Sequence, residues 1–130
     1  MQPVERNNVI KKFGELLGKV LSNVENVNKE ELVFTLDTGE KYKLYHSQDC
    51  CESVSIDDVI GDLSDLVGSP ITMAEEVSQN ENPKGVTVPD HQDSFTWTFY
   101  KLATVKGYVT IRWYGESNGY YSESVDFGVA

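Results

Sequence analysis

The stretch RWYGESNGYYSE, near the C-terminal end of the chain, places an arginine among tyrosines and beside a turn. If the stretch begins as a β-strand, Arg112 and Tyr114 point to the same face, because side chains alternate along a strand. A guanidinium can pair with a phosphate while a phenol ring stacks on a base, and Asn118 and the turn backbone add further donors. The alternative is an arginine–tyrosine ladder that closes a hairpin, with Glu116 or Glu123 as the acidic partner. The residues alone leave a ligand site and a structural ladder both open.

A second cluster of reactive residue types lies in the stretch YHSQDCCES. A zinc site needs two spaced pairs of Cys or His ligands, but these cysteines are adjacent and the other histidine, His91, lies in a polar segment. The surrounding acids disfavour a thiolate, so nucleophilic catalysis is not expected. Adjacent cysteines are poorly placed to bridge each other, so we expect two thiols that fill the core, with His46 on the buried side of its strand. We therefore predict neither a metal nor a cofactor at this cluster, which comprises His46, Asp49, Cys50, Cys51 and Glu52.

Carboxylates also occur in pairs, which acid–base catalysis could use if they were held at a set distance. Neighbouring residues on a strand point to opposite faces, so Glu75 and Glu76 cannot form such a pair. The sequence has no phosphate-binding glycine loop, nucleophile elbow or Ser-His-Asp arrangement. We interpret the acids as surface charge and predict that the protein is not an enzyme. The pairs are Asp57–Asp58, Asp62–Asp65 and Glu75–Glu76.

Negative charge is concentrated in the middle of the chain. The net charge is −10, and the segment from Leu44 to Tyr100 holds eleven acids and one cation, Lys84. Such a surface repels a nucleic-acid backbone, so a DNA- or RNA-binding protein is not expected. Two interpretations remain: a solvated face that maintains solubility, and mimicry of a nucleic-acid strand that fills a basic groove in a partner.

The elements that must position these residues are mostly predicted strands. Alternating apolar residues in ELVFTLDTGEKYKLYH predict a β-hairpin. The stretches KVLSNVENV, SVSIDDVIG and SPITMAEEVS predict further strands, and three more are expected in DSFTWTFYKLATV, GYVTIRWYGE and GYYSESVDFGV. Apolar residues at helical spacing predict a helix over residues 8–17, and DLSDLVG predicts one or two helical turns. The predicted fold is a mostly antiparallel β domain, a small sandwich with one or two short helices.

The organisation of the chain is predicted to be simple. Its length fits a single domain, residues 1–130, and residues 79–92 form the one long loop, which we expect to be mobile. No apolar run reaches the length of a membrane span, and the N-terminal residues lack the apolar core of a secretory signal. We therefore expect a cytoplasmic protein without a membrane partner.

Two long blocks, YHSQDCCE and RWYGESNGYYS, resemble those of a family of small phage-encoded proteins with the patterns Y-H-x-Q-D-C-C-E and R-W-Y-G-x-S-N-G-Y-Y-S. The resemblance covers about residues 15–127, and it is to the Thoeris anti-defence "sponge" proteins of phages. It implies β-sandwich homo-oligomers with pockets between protomers. It also implies a function in the host cytoplasm: binding a cyclic ADP-ribose isomer made by bacterial TIR enzymes, without cleaving it.

The resemblance also implies a set of ligand-binding residues. Arg112 would bind the pyrophosphate and aromatic rings would hold the adenine, so that the expected site comprises Arg112, Tyr114, Phe95, Trp97, Asn118 and Tyr120. The alternative function, from the charge, is an acidic DNA mimic that inhibits a host defence nuclease such as a CRISPR effector.

Overall fold

The computed structural model describes residues 9–130, and β-strands are its main regular element. Two short 3₁₀ helices, Phe13–Leu16 and Leu63–Leu66, precede β1 and β5 respectively. The mostly antiparallel β class and the short helices are therefore confirmed. The strands are β1 (Leu21–Val27), β2 (Glu31–Leu36), β3 (Lys41–Tyr45), β4 (Ser53–Ile60), β5 (Met73–Gln79), β6 (Ser94–Thr104), β7 (Gly107–Ser117) and β8 (Asp126–Val129).

The strands form two four-stranded sheets that face each other. The first sheet has the order β1-β2-β3-β8 and the second β4-β7-β6-β5, and all paired strands are antiparallel. Alternate residues of both sheets point inward, and their apolar side chains form the core together with those of the 3₁₀ helices. The opposite face of the second sheet is left free to carry polar and aromatic side chains.

The hairpin of β2 and β3 forms as the alternation predicts. Leu32 lies opposite Leu44 and Phe34 opposite Tyr42, and all four side chains are buried. Gly39 closes the turn with a φ of 97°, a conformation that glycine adopts at little cost. This hairpin supplies the centre of the first sheet.

The predicted helix over residues 8–17 is wrong except for one turn. Its first residue lies outside the described range, and so do residues 1–7, which belong to the segment whose sequence argues against a secretory signal. Lys12 is extended, and the Ile10 N–H donates to the Tyr42 hydroxyl at 3.0 Å instead of to a helical carbonyl. Phe13 and Leu16 still reach the core from the single 3₁₀ turn. Packing against the hairpin therefore overrides the helical periodicity of this short segment.

The predicted strand over residues 119–129 is also shorter than expected. Pairing begins only at Asp126, where β8 joins β3. Before that point the chain crosses β7, and a Cβ at Gly115 would lie only 2.7 Å from the Glu123 carbonyl oxygen. The Ser124 N–H donates to the Ser122 hydroxyl, a local bond that competes with strand pairing.

Candidate functional site

Four of the six predicted ligand-binding residues lie together on the outer face of the second sheet. In the pairing of β6 with β7, Trp97 is opposite Tyr114 and Phe95 is opposite Glu116. Arg112, two residues before Tyr114, points to the same face. The intervening residues of β7 fill the core, as the alternation of that strand predicts. We call Arg112, Tyr114, Phe95 and Trp97 the aromatic face.

The side chains of the aromatic face are in mutual contact. The ring centroids of Trp97 and Tyr114 are 4.6 Å apart, and those of Phe95 and Tyr114 are 6.3 Å apart. The Arg112 guanidinium carbon lies 5.7 Å from the centre of the Trp97 ring, within the range of a cation–π interaction. The face thus combines a cation with a cluster of aromatic rings, a combination that also occurs in nucleotide-binding sites.

The ion-pair partners of Arg112 differ from those that the sequence suggested. Arg112 Nε and Nη2 donate to Asp57 Oδ2 at 2.8 and 2.7 Å, and Asp58 Oδ2 lies 3.7 Å from Nη2. Both acids lie on β4, where a bulge at Asp57 interrupts the pairing with β7. Glu116 instead accepts a hydrogen bond from the Tyr114 hydroxyl at 3.2 Å. The arginine therefore meets an acid of the neighbouring strand, so an anionic ligand would have to displace Asp57.

The loop between β5 and β6, residues 80–93, covers the centre of the aromatic face. Trp97 is only 1% exposed, although it does not belong to the core between the sheets. Its indole N–H donates to Asn82 Oδ1 at 3.0 Å, and Gln92 Nε2 donates to the Tyr114 hydroxyl at 2.7 Å. The expected mobility of this loop stays a prediction, but the contacts show that polar side chains hold it in place.

Tyr114 faces this loop as a neutral hydroxyl. Burial raises the pKa of the Tyr114 phenol, and the nearby Glu116 carboxylate acts in the same direction. The hydroxyl accepts from Gln92 and donates to Glu116. It can therefore both donate and accept a hydrogen bond on the aromatic face at neutral pH.

The other two predicted residues lie beyond the end of β7. Asn118 Oδ1 accepts from the Tyr120 N–H at 3.0 Å and so closes the turn. Tyr120 is 82% exposed and touches only the edge of Tyr121 among the described rings. Asn118 also lines a cleft of about 270 Å³ that adjoins the aromatic face, together with Cys51, Ser53, His91, Asp93, Glu116, Ser117 and Tyr121.

The YHSQDCCES stretch forms a turn around a buried carboxylate. Glu52 accepts from the N–H groups of Asp49 and Cys50 at 2.8 and 3.0 Å and lies 2.7 Å from His46 Nε2. The Cys50 N–H, followed by His46, lowers the pKa of Glu52 to about 2. His46 Nδ1 lies 2.6 Å from the Ser124 carbonyl oxygen, so the turn is also tied to the C-terminal segment.

These contacts correct the prediction for the cysteines, whereas the His46 side chain is buried as predicted, with only 4% of it exposed. Glu52, not a thiol, fills the interior of the turn, and Cys50 and Cys51 are exposed. The two cysteines form a disulfide rather than the expected pair of thiols. Within residues 9–130, no three His, Cys, Asp or Glu side chains are grouped so that they could hold a metal ion.

The paired acids have separate roles. Glu75 is exposed opposite Lys101, and Glu76 accepts from the Tyr100 hydroxyl at 2.9 Å on the other face of the sheet. The two glutamates thus point to opposite faces, as predicted. Asp62 caps the second 3₁₀ helix by accepting from Ser64 at 3.0 Å.

Comparison with known proteins identifies a family and no individual relative. The family described as "Domain of unknown function (DUF7448)" matches residues 14–127. No curated protein and no solved structure matches the chain. None of the helices in residues 9–130 is long and apolar enough to cross a membrane. The match spans nearly the whole sequence, and the chain therefore belongs to the DUF7448 family.

Proposed function

We propose that the protein binds a cyclic ADP-ribose isomer on its aromatic face and sequesters it without cleaving it. In this proposal it acts as a phage anti-defence protein in the host cytoplasm. One observation carries the proposal: an arginine and three rings lie together on an outer sheet face, beneath a loop that polar side chains hold.

Each part of the face has a counterpart in such a ligand. Arg112 supplies two adjacent N–H donors for a pyrophosphate oxygen, in the positions that Asp57 Oδ2 occupies in this structure. Tyr114 and Phe95, which are only partly buried, supply ring surfaces on which adenine can stack, and Trp97 packs against Tyr114 beneath the loop. Asn118 and Tyr120, beyond the end of β7, would contact the ribose from the edge of the face.

In this proposal the ligand is held and not transformed. The groups that meet the face are an arginine paired with a carboxylate, a phenol with a raised pKa, and the amides of the loop. The guanidinium, the phenol and the amides are not strong nucleophiles at neutral pH, and the carboxylates of Asp57 and Glu116 already accept hydrogen bonds from Arg112 and Tyr114. Binding energy alone would remove the signal from solution.

The proposal includes a homo-oligomer. The same outer face leaves Ile60 and Tyr108 about half exposed, and these residues lie on the neighbouring strands β4 and β7. Burying such a patch against a second copy would be favourable, and it lies beside the aromatic face. Light scattering should give a mass above that of one chain, and Tyr108→Glu should reduce it.

A second candidate is an acidic inhibitor of a host nuclease. It is favoured by the pairing of Arg112 with Asp57, which leaves little net positive charge on the face, and by the exposure of Asp58 and Glu75. These acids lie on the two edge strands of the second sheet, β4 and β5. They are separated by two strands, so they do not form one continuous acidic strip.

A thermal-shift screen with cyclic ADP-ribose isomers tests the proposal. Ligand at 100 times Kd should stabilise the protein by about 2.7 kcal/mol, and heating should release it unchanged. Arg112→Ala should abolish the shift while the protein still folds. Lys101→Ala is the matched control, because it removes one positive charge from the same face. Equal loss in both variants, or release of an altered ligand, would contradict the proposal.

A further inference from the structure

The two ends of the covering loop are joined by a pair of side-chain amides. Asn82 Nδ2 donates to Gln92 Oε1 at 2.9 Å, and Gln92 Nε2 donates back to Asn82 Oδ1 at 3.2 Å. Each amide therefore offers the other one donor and one acceptor side by side. We call Asn82 and Gln92 the amide pair.

The amide pair lies directly on the aromatic face. Asn82 Oδ1 also accepts from the Trp97 indole N–H at 3.0 Å, and Gln92 Nε2 also donates to the Tyr114 hydroxyl at 2.7 Å. Asn82 itself is exposed, and most of the loop around it is exposed as well. The amide pair is thus held chiefly by hydrogen bonds, which a ligand with matching groups could replace.

We propose that Asn82 recognises the N6/N7 edge of adenine and that Gln92 occupies the position of this edge when no ligand is bound. This inference rests on the proposed function, since it concerns the base of a ligand that stacks on Tyr114. Asn82 would keep its bond to Trp97 and exchange Gln92 for the base. It is therefore a specificity-determining residue of the site.

The exchange conserves hydrogen bonds. The adenine N6 amine takes the place of Gln92 Nε2 as donor to Asn82 Oδ1, and N7 takes the place of Gln92 Oε1 as acceptor from Asn82 Nδ2. A carboxamide binds this edge of adenine through two such bonds. Gln92 keeps its bond to Tyr114 or turns to water, because its end of the loop is only partly buried. The gain on binding then comes from the stacked base and the phosphate.

Mutation of the two members of the amide pair should change the affinity for the ligand in different ways. Asn82→Asp keeps the acceptor for Trp97 but loses the donor for N7, so binding should weaken about tenfold or more. Gln92→Ala removes the group that competes with the base, so binding should be unchanged or tighter. If Asn82 served only to latch the loop over Trp97, Asn82→Asp would keep that latch, and binding would change no more than in the charge control Asn80→Asp.

The experiment is a calorimetric titration of the full-length protein with cyclic ADP-ribose and with ADP-ribose, each compared with its 7-deaza analogue, which lacks the N7 acceptor. Wild-type protein should bind the 7-deaza analogue about tenfold more weakly. Asn82→Asp should bind the two forms equally. Asn80→Asp is the matched control, because it adds the same charge to the same loop from a residue whose amide reaches only the Phe95 carbonyl oxygen, at 3.4 Å. Circular dichroism and melting temperature verify that each variant is folded.

The outcomes separate this inference from the proposed function. If wild-type protein binds both forms equally, or if Asn82→Asp binds like Asn80→Asp or more tightly, the role of Asn82 is overturned while sequestration stands. If folded wild-type protein binds neither nucleotide nor any cyclic ADP-ribose isomer, the proposed function and the role of Asn82 both fail. The inference is supported if Asn82→Asp, but not Asn80→Asp, weakens binding of the nucleotide and this loss of affinity disappears with the 7-deaza analogue.

Discussion

Replacing Asp57 with asparagine should release Arg112 and strengthen the binding of an anionic ligand. Arg112 Nε and Nη2 both donate to Asp57 Oδ2, at 2.8 and 2.7 Å. The two charges are about 4 Å apart, which corresponds to about 4 kcal/mol at the effective dielectric constant near a protein surface. The side chains are 16% and 31% exposed, so solvent screening and desolvation leave a net value of about 1 kcal/mol.

An incoming phosphate has to overcome this net value before it gains its own bonds to Arg112. Asp57→Asn should therefore raise the affinity for a cyclic ADP-ribose isomer about fivefold, because 1.4 kcal/mol corresponds to about tenfold. Asp58, 3.7 Å from Arg112 Nη2, will take up part of the charge and limit the gain. The free energy of unfolding of the unliganded protein should fall by about 1 kcal/mol, since the guanidinium loses its nearest anionic partner.

Isothermal titration calorimetry measures the affinity, and chemical denaturation measures the stability. Glu75→Gln is the control, because it makes the same charge change on the other edge strand of the sheet, opposite Lys101. A general electrostatic effect would raise the affinity for the ligand equally in both variants. If Asp57→Asn binds no more tightly than Glu75→Gln, the claim that Asp57 competes with the ligand for Arg112 is refuted.

Three further predictions concern the scaffold around the site. The pKa of Glu52 is lowered from 4.5 to about 2, so its contribution to stability should be present above about pH 4.5 and lost as the pH falls toward 2. Denaturation at several pH values should therefore show that the stability of Glu52→Gln depends less steeply on acid than that of the wild-type protein. Gly61→Ala should destabilise the protein by about 2 kcal/mol or more, because φ is 108° and the new Cβ would lie 2.6 Å from the Tyr108 carbonyl oxygen. Gly39→Ala, which has open space around the new Cβ, should cost only about 1 kcal/mol in the same denaturation experiment. Tyr120→Ala should change the melting temperature little, since the side chain is 82% exposed, but should weaken ligand binding in calorimetry if Tyr120 contacts the ribose.

The alternation of β6 and β7 made the aromatic face predictable in outline. Arg112 and Tyr114 alternate with Trp113, an apolar ring that needs the core, so their shared face follows from the period of a strand. Phe95 and Trp97 share a face by the same period, but alternation in FTWTF would send these rings inward, whereas in the structure Thr98 and the alternate residues after it turn inward. The sequence could therefore indicate which side chains share a face.

What covers that face could not be predicted from the sequence. Asn82 reaches Trp97 across fifteen positions, and Gln92 reaches Tyr114 across twenty-two. Amides in a polar loop give no local signal that distinguishes a contact with the sheet from solvation. The acidic partner of Arg112 was also missed, because Asp57 is placed by the pairing of β4 with β7 and by a bulge.

The prediction for the cysteine stretch was wrong for a different reason. The sequence argument assigned the interior to the most apolar residues, and hence to Cys50 and Cys51. In the structure the N–H groups of a tight turn need an acceptor, and Glu52 supplies it from inside, with His46 Nε2 2.7 Å from its carboxylate. Hydrogen bonding of the turn backbone therefore decides which side chain is buried, and the cysteines remain at the surface.

The pairing of Arg112 with Asp57 also determines how the two candidate functions are separated. Neutralising Asp57 and Asp58 would test an acidic inhibitor and at the same time release Arg112, so a changed phenotype would fit either function. Neutralising Glu75 does not release Arg112, because Glu75 lies on β5 opposite Lys101. A nuclease inhibitor should lose activity in Glu75→Gln combined with other exposed acids and tolerate Arg112→Ala. A sequestering protein should show the reverse, because its affinity depends on one guanidinium that its own carboxylate holds in place.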